Sequence, residues 1–115
     1  MRATADGEDR ALVCFITFPD EEAARRVARA LVLERLAACV NLVGGVRSIY
    51  AWKGAVQDDA ELLGVVKTTA ARFEALRARV VELHPYEVPE VIALPIEAGH
   101  APYLDWLRDG VRPAG

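Results

Sequence analysis

The sequence predicts an α+β domain in which one antiparallel sheet is backed by two helices, and three observations carry that prediction. Short apolar runs rich in β-branched residues recur at 11–18, 37–43, 61–68 and 91–96, each too short for a buried helix. Two stretches with helical apolar spacing separate the first run from the second and the third from the fourth. No helical stretch lies between the second and third runs, so these pair as a hairpin. The resulting order is β-α-β-β-α-β, a ferredoxin-like sandwich, and a C-terminal helix follows it.

Each element has its own signals. ALVCFITF at 11–18 reads as a buried strand, stopped by Pro19 and Asp20. Asp20 suits an N-cap, and Glu21 and Glu22 suit the positive end of a helix dipole. Ala24, Val27, Ala28 and Leu31 then give one buried stripe, in a helix expected to end near Arg35 or Leu36. AACVNLV at 37–43 is a second strand, interrupted at Gly44-Gly45 by a bulge or bend and resumed as VRSIYAW. Lys53-Gly54 make a turn, AVQDD reads as a polar connection, and ELLGVVKT at 61–68 is the partner strand. Gly64 within it marks a close approach by backbone or side chain.

Thr68 or Thr69 can cap a second helix, buried along Phe73, Leu76, Val80 and Leu83. Pro85 disfavours helical geometry at His84, so this helix stops at Leu83. VIALPI at 91–96 is the last strand, placed at an edge by Pro95. Pro102 opens a short helix whose Tyr103, Leu104, Trp106 and Leu107 form a large apolar surface for its length. Residues 1–10 read as a flexible tail, and 11–112 as a single domain. The strands are apolar at nearly every position, so both sheet faces call for burial. A chain of 115 residues has no second helical layer to supply it, and association between copies is the expected solution.

Composition narrows the function. With 53% apolar and 27% charged residues the chain is an ordinary globular domain, and its net charge of -3 argues against a general nucleic-acid role. No apolar run is long enough to cross a bilayer, and the first ten residues have no signal-peptide core. A cytoplasmic protein with no membrane partner is expected. Two cysteines, Cys14 and Cys39, form neither a disulfide framework nor a CxxC pair.

RLAACVNLVGGVRSIYAWKG, the KTT at 67–69, HPYEVPE at 84–90 and YLDWL at 103–107 together resemble the CutA divalent-cation-tolerance family, over a span from about Val13 to Leu107. The resemblance implies a homotrimer similar in architecture to the PII signalling proteins, and a role in tolerance of copper and other divalent metals. Two departures are visible. Where relatives carry a cysteine before the Thr-x-Pro step this chain has Ile16, with Cys14 two residues earlier, and Gly99-His100 replaces a common Gly-Asn pair.

Three readings of HPYEVPE compete. In the first, His84 with Glu87 and Glu90 offers nitrogen and oxygen donors that suit Cu(II), with Cys14 and Cys39 as softer ligands. In the second, His84 closes the preceding helix, and Pro85 and Pro89 stiffen a loop. In the third, a cysteine beside His84 is a nucleophile, but both cysteines fall in apolar strands where thiols are inert. No phosphate-binding or hydrolase motif appears, so neither an enzyme nor an organic cofactor is expected.

Tyr50, Trp52, Tyr86, Tyr103 and Trp106 are assigned to a subunit interface or cleft. Lys67 needs a buried partner such as Glu90, and Asn41 either meets a ligand in a cleft or, preferably, bonds backbone at a strand bend. The reading is a homotrimer that binds divalent metal, Cu(II) first, in metal tolerance. The alternative is a PII-like signalling or scaffold trimer whose clefts take a small molecule or a partner protein.

Overall fold

The computed structural model describes residues 7–113. Seven main elements follow one another: β1 (Ala11–Phe18), α1 (Glu21–Leu33), β2 (Cys39–Trp52), β3 (Ala55–Thr69), α2 (Ala70–Leu83), β4 (Val91–Pro95) and α3 (Ala101–Gly110). The four strands form one antiparallel sheet in the order β2-β3-β1-β4. This is the predicted ferredoxin-like sandwich with its C-terminal helix.

Four boundaries differ from the sequence reading. β3 begins at Ala55, so AVQDD is strand rather than connection; it lies beyond the helices with both faces accessible and has no apolar alternation to reveal it. β2 begins at Cys39 and not at Ala37, and the expected bulge is there as a register shift between Val43 and Val46, where Gly45 takes φ 78°. α1 ends at Leu33 because Arg35 turns into the left-handed region at φ 60°. The guanidinium of Arg35 then bonds the carbonyls of Asp109 and Arg112, tying this turn to the end of α3. Residues 7–10 are not loose. Gly7–Asp9 is a 3-10 turn, the Arg10 carbonyl accepts from Ala70 N–H, and the Asp9 carbonyl accepts from Arg108 Nε. The rest of the expected tail, 1–6, lies outside the described residues.

Strand alternation gives the sheet two different faces. Leu12, Cys14, Ile16 and Phe18 of β1 and Val66 of β3 meet Ala24, Val27 and Leu31 of α1 and Leu76 and Val80 of α2, which makes the core. The opposite face carries Val13, Phe15, Leu63 and Val65, half-buried, with Val43, Ile92 and Leu94 about half exposed beside them. α3 packs against β1 and β3 and buries Leu107 fully, yet leaves Tyr103 and Trp106 41% and 51% exposed.

The outer half of the β2–β3 hairpin projects beyond this body. The radius of gyration is 15.0 Å, against about 13 Å for a compact domain of this length.

Candidate functional site

His84 is positioned by the chain around it. Pro85 keeps His84 extended, at φ -72° and ψ 140°, so α2 ends there with the His84 N–H on the Val80 carbonyl at 2.8 Å. The imidazole turns under the sheet, 7% exposed, and stacks on Phe18 with ring centroids 5.2 Å apart. Nε2 lies 2.7 Å from the Thr17 carbonyl, which can only accept, so Nε2 carries the proton. Nδ1 is then free to accept the Tyr86 N–H at 3.1 Å. Both ring nitrogens are thereby engaged, and His84 locks the 84–90 loop to β1.

The loop delivers Tyr86 to the hairpin. Its phenol donates to the Glu61 carboxylate at 2.6 Å, and burial followed by that carboxylate pushes the Tyr86 hydroxyl well above its ordinary range. A parallel bond runs from the Tyr50 hydroxyl to Asp59, also 2.6 Å, and it raises the exposed Tyr50 phenol in the same direction. Both tyrosines therefore stay protonated donors. Glu61 is 7% exposed, and no cation pairs with it among the described residues.

Between the hairpin and the loop lies an open groove of about 810 Å³. Tyr50, Trp52 and Tyr86 supply its aromatic walls, Glu61, Glu87 and Glu90 its carboxylates, and Lys53 its single cation, with Nζ 5.9 Å from the Trp52 ring centroid.

The remaining sequence-predicted residues lie elsewhere. Cys14 is fully buried under the helices, and desolvation pushes its thiol up to about 12. Cys39 sits on the opposite sheet face, its thiol 4.0 Å from Asn41 Oδ1, and burial, with Cys39 nearby as the lesser cause, raises the Tyr103 phenol. Lys67 bonds Asn41 Oδ1 and not Glu90. The reason is register: Lys67 is opposite Cys39, on the same face as Asn41, whereas Glu90 belongs to the groove. Asn41 accordingly bonds side chains and not backbone. Tyr103 and Trp106 pack against each other on α3, with ring centroids 5.5 Å apart and planes tilted by 32°.

Among the described residues, no three His, Cys, Asp or Glu side chains converge as a metal ion would require. With His84 engaged through both nitrogens, Cys14 in the core and Cys39 on the opposite sheet face, the ligands of one chain do not fit a metal centre by themselves. Sequence reasoning missed Glu61 and Asp59 altogether. Asp59 lay in the segment read as connection, and Glu61 opened the strand expected at 61–68, each with acidity as its only signal.

Residues 12–110 match the family model described as CutA1 divalent ion tolerance protein. The "Divalent-cation tolerance protein CutA" of Thermus thermophilus is 60% identical over 97 residues, covering 84% of this chain and 94% of that protein. Human "Protein CutA" is 52% identical over 94 residues, covering 82% of this chain and 52% of the human one, so the chain spans about half the length of that relative. Among solved structures, the Thermus thermophilus divalent cation tolerance protein superposes with a TM-score of 0.86 at 57% identity, covering 89% and 99% of the two chains. CutA1 from Oryza sativa gives 0.89 at 45% identity, covering 93% and 98%.

Proposed function

Because the chain belongs to the CutA1 divalent ion tolerance protein family, we propose that it serves divalent-cation tolerance as a homotrimer that holds Cu(II) and related ions between copies. One observation carries the reading: the sheet face opposite the helices is apolar and only partly covered by α3, and β2 and β4 are both sheet edges with no neighbouring strand among the described residues. Exposed apolar area of this kind is stabilised by burial against another copy, and two complementary edges allow a closed ring.

The metal part follows from what one chain lacks. Glu87 and Glu90 present exposed carboxylates at the groove, hard oxygen donors that complete a site only with nitrogen or oxygen ligands from a neighbour. His84 acts in this reading as the lock that positions their loop. No catalytic step is assigned to the protein.

Light scattering at micromolar protein should give a mass near three times 12.6 kDa. Calorimetric titration of Cu(II) should show binding by the assembled protein that weakens at least tenfold in the Glu87→Gln, Glu90→Gln double variant. A stable monomer would remove the trimer. Undiminished Cu(II) binding by the double variant would remove these two ligands.

A further inference from the structure

Glu61 is a carboxylate more than nine-tenths buried whose hydrogen-bond partner is a neutral phenol, that of Tyr86. A buried anion ordinarily has a cation or a metal beside it. None of the arginines and lysines among the described residues fills that place.

Its surroundings have the chemistry that receives such a cation. The groove into which Glu61 faces measures about 810 Å³, within the range of small-molecule sites. Trp52 and Tyr86 line it with aromatic rings, and the exposed Glu87 and Glu90 add negative charge. Aromatic faces together with a carboxylate are the combination that selects organic ammonium and guanidinium groups over anions and neutral molecules. The chain already uses one of these faces in this way, since Lys53 hangs over Trp52 from the hairpin turn.

We infer that the groove between the β2–β3 hairpin and the 84–90 loop is a binding site for a small organic cation, an ammonium or guanidinium-type compound with a flat apolar body. Glu61 is its counter-ion, Trp52 and Tyr86 enclose its body, and Lys53 is the residue it displaces. The hydrogen bond from Tyr86 fixes the Glu61 carboxylate and leaves its charge for the ligand. This site goes beyond the metal reading and stands without it, because Glu61 is not among the proposed metal ligands.

The test is benzamidine titrated into the full-length protein in a metal-free buffer containing chelator, with benzamide as its neutral counterpart, followed by calorimetry and by NMR of the backbone amides and of the Trp52 indole N–H. Benzamidine should shift that resonance and bind at least tenfold more tightly than benzamide. Glu61→Gln and Trp52→Ala should each weaken it about tenfold, and Lys53→Ala should strengthen it severalfold by removing the competing cation. Trp52 is 45% exposed, so its replacement keeps the test valid should Glu61→Gln fail to fold. Equal affinities for benzamidine and benzamide, or shifts confined to residues outside the groove, would overturn the inference. So would benzamidine that lowers the oligomer mass in light scattering, which would give the seat to a basic side chain of a second copy.

Discussion

At Gly64 a single hydrogen decides how β1 and β3 meet. A Cβ built there lies 2.9 Å from Cε2 of Phe18, a fully buried ring with no room to retreat. Gly64→Ala should cost about 1–3 kcal/mol by overpacking, read as a lowered urea midpoint at constant slope. Cys14 makes a second residue-scale prediction. Its folded-state thiol stays protonated to about 12, while an unfolded thiol ionises from about 9. The unfolded state therefore binds fewer protons in that window, and stability falls with rising pH, by about 1.4 kcal/mol per unit at most. Urea titrations between pH 8 and pH 11 should show this slope, and Cys14→Ala should reduce it. The sequence announced Gly64 and the burial of Cys14, because both follow from position within one strand. It could not announce that Lys67 bonds Asn41, which depends on cross-strand register.

At the scale of elements, the sheet and helices were legible because their apolar periods are local. The long β3 and the pairs Tyr86–Glu61 and Tyr50–Asp59 were not, since the register shift between Val43 and Val46 resets which residues face one another along the outer hairpin. Helix ends behave as their caps dictate. Asp20 Oδ1 accepts the Ala23 N–H at 2.8 Å, and Asp20→Ala should cost about 1 kcal/mol in thermal or urea unfolding. The 84–90 loop depends instead on an imidazole. His84→Ala would leave the Thr17 carbonyl and the Tyr86 N–H without their partner, a loss of about 1–3 kcal/mol. Hydrogen exchange should show the Tyr86 amide exposed in that variant while the α1 amides keep their protection.

The whole molecule is a sandwich with one filling missing. Its helix face closes a core, and its other face stops at α3, with Ile92, Leu94 and Trp106 still about half exposed. On the trimer reading, Trp106→Ala should weaken assembly by up to about 2–4 kcal/mol while circular dichroism of the dissociated chain stays unchanged, as expected of an aromatic anchor at an interface. Sedimentation over a protein concentration series measures both quantities. Unaltered dissociation would place Trp106 outside the contact.

The pairing order also fixes a sequence of events in time. β2 and β3 are joined through Lys53-Gly54 and can zip from their turn within about 1–10 μs, as hairpins do. β4 pairs with β1 from the far end of the chain, so its docking carries the largest loop-closure entropy and comes last. On the trimer reading, association waits for β4, because β4 brings Ile92 and Leu94 to the apolar face. Refolding should therefore show a concentration-independent phase first and a second-order phase after it.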